Sequence, residues 1–229
     1  MTIRHHPPAD LLTSYAAGTL DLGDHIAVAT HLSACPRCQA MAAALEHVGG
    51  AVLTGLPPMP MTDGALARVT ARLDEPDRHS DHGNKDRAHP GHQDLGRTNR
   101  APLDGVPGLP GFMRRYMAAP WIWVAPGVRM RPIQLPAASD SRVFLLQSRP
   151  RTKMLEHTHT GTELTCVLTG GFRHAAGDFG PGDFDWGDAE VRHDVTVAPS
   201  ETCLCLVAMR GEVRLRGFWG ALIQPFIRL

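Results

Sequence analysis

The sequence predicts an α+β protein in two separate domains, a small N-terminal helical bundle and a C-terminal all-β barrel. Apolar residues recur at helical spacing between residues 9 and 73, and period-two runs bounded by Gly and Pro follow residue 106. The intervening residues 74–105 contain few apolar side chains, and so polar a segment cannot offset the entropy of ordering it. We therefore predict a helical domain at 1–73, a flexible linker at 74–105 and a β domain at 106–229.

The composition excludes two classes of partner. The 229 residues include 23 basic and 23 acidic side chains, so there is no net positive charge to favour direct binding of nucleic acid. No apolar run approaches the ~18 residues of a membrane span, which predicts a cytoplasmic protein without a membrane partner. Five cysteines, two in CxxC and two in CxC, favour reduced thiols and metal binding over a disulfide framework.

The helical region divides at its turn residues. The stretch "ADLLTSYAAGTL" predicts a first helix, and Asp24 is positioned to cap a second one that runs towards Cys35. Pro36 ends that helix and suits the first turn of a third. A fourth helix is predicted over 62–73, with an apolar stripe that needs a partner to cover it.

The first candidate site is "HLSACPRC". His31 and Cys35 are four residues apart and share one helix face, and Cys38 can point back from the next helix. Tetrahedral zinc needs a fourth ligand, which His6 or its neighbour His5 could supply. A redox dithiol and two incidental core thiols are the alternatives. The first lacks a βαβ context, and the second leaves the spacing of His31 to coincidence.

These residues resemble the zinc-binding anti-sigma factors, whose signature is HxxxCxxC preceded by an N-terminal histidine. The resemblance implies that His6, His31, Cys35 and Cys38 hold one structural Zn²⁺. It also implies that the helical domain binds an extracytoplasmic-function sigma factor and blocks its access to RNA polymerase. The sigma-contacting residues are expected on the exposed face of the fourth helix.

The β region contains strand-length apolar runs separated by turn residues, as in a sandwich or barrel. The six runs are "RVFLLQS", "ELTCVLTG", "GDFDWGD", "DVTVAPS", "TCLCLVAM" and "VRLRGFWG".

The second candidate site begins in "EHTHTGTELTCVLTG". His157 and His159 face the same way on an extended strand, and Glu163 can return to them from the next strand. His193 stands at the entry to a later strand. Three histidines and one carboxylate suit Zn, Mn, Fe or Ni, and satisfied or surface histidines are the alternative.

HxHxxxE followed by Gly170 resembles the first motif of the cupin superfamily, and "PGD" with His193 resembles part of the second. The resemblance implies a barrel that binds a divalent metal, with Zn²⁺ preferred and Mn, Fe or Ni as alternatives. Arg151 replaces a common glycine. Asp188, Glu190 and Val197 also depart from the pattern, which makes typical cupin catalysis less expected.

The two motifs in this order resemble the ChrR-type family of anti-sigma factors over nearly the whole chain. The resemblance implies a regulator rather than an enzyme, bound 1:1 to its sigma factor and releasing it when the cupin domain senses singlet oxygen. The competing interpretation is a metal-dependent, dioxygenase-like cupin enzyme with an accessory zinc module.

Cys203 and Cys205 are candidate redox-sensing residues. They are two apart on a predicted strand, so their side chains share one face and can respond together to an oxidant. The alternative is a pair of small hydrophobes in the barrel wall, which is also the role expected of Cys166.

Overall fold

The computed structural model of the chain describes residues 2–73, 100–154, 157–188 and 194–215. Four helices come first: α1 (Ala9–Ala16), α2 (Leu22–Leu32), α3 (Pro36–Thr54) and α4 (Ala65–Leu73). The strands that follow are β1 (Ala101–Pro102), β2 (Met117–Ala118), β3 (Ile122–Ala125), β4 (Val128–Ile133), β5 (Arg142–Ser148), β6 (His157–His159), β7 (Glu163–Thr169), β8 (Phe172–His174), β9 (Gly177–Phe179), β10 (Phe184–Gly187), β11 (Thr196–Val197), β12 (Cys203–Met209) and β13 (Val213–Leu215). Within the described ranges, no helix combines the length and apolar character of a membrane span.

The helix boundaries follow local chemistry. Pro36 occupies the first turn of α3, as predicted. The predicted cap of α2 was wrong, because Asp21 and not Asp24 accepts a hydrogen bond from the backbone N–H of Gly23. Asp24 instead lies inside the first turn of α2 and is buried.

Most strands belong to one antiparallel sheet with the order β1-β2-β4-β5-β12-β7-β10, and β3 pairs with β4. Two smaller sheets, β11-β8-β9 and β13-β6, complete the β region among the described residues. The predicted runs coincide with β5, β7, β10, β11, β12 and β13. The sequence does not single out β1 to β4, β8 or β9, and β1 places the start of the sheet inside the range predicted as linker.

β12 separates the two cores of the molecule. All seven of its residues are buried, because its two faces meet different apolar surroundings. Leu204, Leu206 and Ala208 belong to the core that includes the helices. The alternate residues face the barrel interior, namely Cys203, Cys205, Val207 and Met209.

The helical bundle packs on the barrel through α2, which lies against β12 and β7. A Cβ on Gly23 would come within 2.4 Å of the Cβ of Ser141, so only glycine permits this close approach. Asp21 accepts hydrogen bonds from the Ser141 side chain and backbone across the contact. An ion pair at 2.9 Å joins the buried carboxylate of Asp24 to the exposed side chain of Arg210. The two predicted units are both present, and they share a hydrophobic core.

Candidate metal centres

Three chain segments bring the first candidate site together. His31 lies in the last turn of α2, Cys35 immediately precedes α3 and Cys38 lies in its first turn. The segment before α1 contributes His6, whose ring is 5.5 Å from the His31 ring. The site therefore ties the N-terminal segment to the corner between two helices.

The donor atoms of His6, His31, Cys35 and Cys38 all lie within 4.8 Å of one another. His6 Nδ1 is 3.5 Å from Cys35 Sγ and 3.4 Å from Cys38 Sγ. Zinc bonds of about 2.3 Å to sulfur and about 2.0 Å to nitrogen, at the tetrahedral angle, also place N and S about 3.5 Å apart. His31 Nε2 is buried and makes no hydrogen bond in the described structure. The cluster thus fits a closed tetrahedral metal site.

The electrostatics of the cluster suit imidazole ligands. Burial lowers the pKa of His31 to about 4, and burial followed by the charge of Arg37 lowers the pKa of His6. Both imidazoles are therefore neutral at physiological pH, which is the form that binds a metal. Burial and the neighbouring Cys35 raise the pKa of Cys38 to about 11, so a metal bound there must displace a proton.

The structure distinguishes His6 from His5. The His5 ring stacks on Phe179 with a centroid distance of 3.9 Å, and its Nε2 is 3.1 Å from the backbone oxygen of Asp178. His5 is therefore directed at the barrel, whereas His6 joins the Cys35 and Cys38 cluster.

The structure describes the second candidate site in part. β6 contains His157 and His159 and pairs with β13, and Glu163 begins β7. His193 and Glu190 lie outside the described residues. The joint coordination of a metal by His157, His159, Glu163 and His193 therefore stays a prediction.

Glu163 lines a cavity of about 70 Å³ inside the barrel. Cys203 and Cys205 line the same cavity, and their Sγ atoms are 3.6 Å apart. The remaining lining residues are Leu146, Ser148, Met154, Thr165, Phe172, Asp185, Val195 and Val197. The two candidate redox-sensing residues thus lie beside the predicted carboxylate ligand.

The Cys205 thiol is held in the protonated form. A hydrogen bond with Cys203, followed by burial, raises the pKa of Cys205 well above its usual value. Burial raises the pKa of Cys166 to about 12, and that residue faces the helical core, as predicted. Because thiolates are the reactive form towards most oxidants, the raised pKa protects Cys205 from weak ones.

Sequence reasoning missed one polar pair at the cavity. His174 Nε2 lies 3.0 Å from Asp185 Oδ2, and both side chains are largely buried. In the sequence, Asp185 belongs to no candidate site and His174 is an isolated histidine. No spacing signal could have joined them, because the pair depends on how β8 and β10 come together in space.

Arg151, which replaces a common cupin glycine, has a φ of 62°. It is the single non-glycine residue with positive φ in the described part of the chain. The backbone therefore keeps the left-handed conformation that glycine adopts freely, although the side chain has changed.

Comparisons with known proteins agree with this architecture. A zinc-finger family model matches residues 9–39, and the model described as ChrR cupin-like domain matches residues 111–212. Anti-sigma-E factor ChrR of Cereibacter sphaeroides is 37% identical over 229 residues, covering 100% of both chains.

Among solved structures, the crystal structure of Rhodobacter sphaeroides SigE in complex with the anti-sigma ChrR contains a chain that is 34% identical, with a TM-score of 0.69. The match covers 91% of this chain and 99% of that one. An RmlC-like cupin protein from Ralstonia eutropha is 20% identical, covers 44% of this chain and 68% of its own, and has a TM-score of 0.37. That likeness is too low to support an argument.

The fold and the His/Cys cluster define a zinc-finger-like helical domain packed on a cupin-like barrel. Full-length similarity then places the chain more narrowly: it belongs to the ChrR family of anti-sigma factors.

Proposed function

We propose that this chain is a cytoplasmic anti-sigma factor that binds an extracytoplasmic-function sigma factor 1:1 and inhibits it. Release follows photo-oxidative stress, with singlet oxygen as the signal and the barrel as the sensor. The observation that supports this most strongly is the match along 91% of the chain to a relative described as bound to a sigma factor.

A long apolar surface on α3 and α4 provides a docking site for such a partner. α4 has no buried residue, and its apolar side chains at positions 66, 69 and 73 recur at helical spacing on one face. The exposed large apolar residues of this surface are Val48, Val52, Leu53, Leu56, Met59, Met61, Leu66, Val69 and Leu73. So many exposed apolar side chains within residues 48–73 are typical of an interaction site, and α4 is the contact region expected from the sequence.

In the helical domain, His6, His31, Cys35 and Cys38 hold a structural Zn²⁺. A metal with four protein ligands supplies folding free energy and leaves no position for a substrate. These residues fix the N-terminal segment and the corner between α2 and α3. They therefore maintain the bundle that presents the docking surface.

In the barrel, His157, His159, Glu163 and His193 hold a second divalent metal, with Zn²⁺ preferred. Cys203 and Cys205 are the redox-sensing pair. Joint oxidation transfers two electrons and two protons from the thiols to one singlet oxygen, giving a disulfide and hydrogen peroxide. The Sγ atoms must close from 3.6 Å to about 2.05 Å, which requires distortion of β12.

A metal-dependent cupin enzyme with an accessory zinc module is the competing function. The cavity bounded by the described residues has a volume of about 70 Å³. Sites for organic ligands usually measure about 300–1,000 Å³. The size of this cavity favours a regulatory barrel over one that turns over an organic substrate.

The test is co-expression of the chain with candidate extracytoplasmic-function sigma factors, followed by co-purification before and after illumination with a photosensitiser. We expect a 1:1 complex that dissociates after illumination. L66E/V69E should abolish the complex, whereas I122E, which alters an exposed apolar residue of β3, should leave it intact. Failure to bind any sigma factor would contradict the proposed function.

A further inference from the structure

The buried ligand His31 has a hydrogen-bond partner on the barrel. Its Nδ1 is 2.8 Å from the backbone oxygen of Gly182, in the turn between β9 and β10. An N–H donated there fixes the tautomer of the ring and leaves Nε2 as the donor atom for a metal. The Phe184 ring also contacts the His31 ring edge-on at 5.7 Å.

The same turn holds the segment that precedes His6. Asp183 is buried, and its Oδ1 accepts the backbone N–H groups of Arg4 at 2.6 Å and His5 at 2.9 Å. In the opposite direction, the N–H of Phe184 donates to the backbone oxygen of His5 at 3.1 Å. The chain is thus fixed on both sides immediately before the ligand.

We propose that residues 180–184 of the barrel form the outer shell of the helical metal site, and that Asp183 is a positioning residue for His6. Groups that orient metal ligands typically change metal affinity by about 10- to 100-fold when they are removed. This inference rests on the proposed function in one respect: the cluster of His6, His31, Cys35 and Cys38 must hold the metal.

The same contacts link the barrel cavity to the helical metal site. Two residues beyond Asp183 along β10, Asp185 lines the barrel cavity. The His5 ring stacks on Phe179, whose ring is 5.0 Å from that of Phe172, another cavity residue. Backbone and ring contacts therefore connect the cavity with the segment that holds His6, without passing through the docking surface.

Cobalt substitution of the full-length chain tests the role of Asp183. Cobalt bound to cysteine thiolates gives a near-ultraviolet charge-transfer band, which a histidine and carboxylate site in the barrel cannot produce. The measurement is the rate at which this band disappears after EDTA is added. We expect loss about 10- to 100-fold faster in D183A than in the wild type.

Three further variants make the test specific. D183N keeps an oxygen for the backbone N–H groups of Arg4 and His5, but its NH2 replaces the oxygen that accepts the Gly180 N–H, so it should restore part of the wild-type rate. H5A removes the ring contact to Phe179 and the hydrogen bond to the Asp178 backbone oxygen, and it should also accelerate loss. D178A removes the exposed carboxylate of Asp178 on neighbouring β9 but keeps the backbone oxygen that contacts His5, and it should have no effect.

Wild-type rates in both D183A and H5A, with native near-ultraviolet circular dichroism, would overturn the outer-shell role while leaving the metal site intact. Absence of the thiolate band in the wild type would instead reject the metal assignment itself. The two failures are therefore distinguishable.

Discussion

Two pairs of buried cysteines occupy the two halves of the molecule. Cys35 and Cys38 are 2% and 3% exposed, and Cys203 and Cys205 are 3% and 4% exposed. Burial therefore does not separate them. The first pair lies 3.4–3.5 Å from the Nδ1 of a histidine, whereas the sulfurs of the second pair are 3.6 Å from each other.

The difference lies in what surrounds each pair. The first pair stands where three chain segments meet, and a neutral imidazole completes the donor set. The second pair shares one strand face within a continuous sheet, where each thiol is the hydrogen-bond partner of the other. Under the proposed function, the first pair maintains the fold of the helical domain and the second pair changes the barrel when it is oxidised.

The largest effect should come from the helical site. C38A removes one of four ligands, and structural zinc contributes about 10 kcal/mol or more of apparent binding free energy. We expect the zinc content to fall by one ion per chain and sigma binding to be lost. Elemental analysis and co-purification measure these results. C166A removes a buried thiol that is not one of the four donor residues, and it should preserve both. Equal loss in C38A and C166A would show that the effect does not depend on the donor atoms.

The double variant C203A/C205A should have the opposite profile. Zinc content of the helical site and sigma binding should match the wild type, because this pair does not touch the His/Cys cluster. Release under photosensitised illumination should slow about tenfold, a change of about 1.4 kcal/mol in activation free energy. Time-resolved co-purification measures the rate. Normal release with the barrel metal retained would show that these thiols are not the sensor.

G23A tests whether the two regions act as one body. The added methyl group would meet Ser141 in a packed contact, and overpacking of this kind costs about 1–3 kcal/mol. We expect a lower free energy of unfolding in chemical denaturation. G49A, where no neighbouring atom lies within 4 Å, should instead stabilise α3 by about 1 kcal/mol. Unchanged stability in G23A would mean that the bundle does not depend on its contact with the barrel.

The elements and ligand spacing within each region could be predicted from the sequence, but the contacts between the two regions could not. The spacing of His31, Cys35 and Cys38 predicted a cluster because helical geometry is local and regular. The partner of His31 on the barrel, the carbonyl of Gly182, is 151 residues away. Nothing in the sequence marks this partner, because every residue has a backbone carbonyl. The need for glycine at position 23 likewise follows only from the close approach of Ser141 and Val143 in the folded structure.

Asp21 gives a pH-dependent test of the same contact. Burial alone would raise its pKa, but hydrogen bonds led by those from Ser141 and Gly23 lower it below the usual range. A lowered pKa in the folded state stabilises the protein above the unfolded value of about 3.9, and this contribution is lost as the pH falls further. D21N should cost about 2 kcal/mol at pH 7. The difference from wild type should shrink below about pH 4.

Denaturation at several pH values measures that difference. D10N, which alters an exposed carboxylate of α1, serves as the control and should cost little at any pH. A D21N penalty that stayed constant down to about pH 2 would show that the charge of Asp21 does not stabilise the contact.

The smallest predicted effect is a change in stability caused by a substitution in the barrel. Arg151 has a φ of 62°, and this left-handed backbone conformation destabilises an L-residue with a side chain by about 1–2 kcal/mol. Glycine removes that strain but loses about 0.5–1 kcal/mol through the greater entropy of the unfolded chain. R151G should therefore stabilise the protein by about 0.5–1 kcal/mol, and calorimetry should show a melting temperature about 1–4 °C higher. R149G, two residues earlier and without positive φ, should destabilise. A change in the cobalt–thiolate spectrum of R151G would show that the helical metal site responds to backbone strain at Arg151 in the barrel. The two regions would then be coupled, although their cysteine pairs do not contact each other.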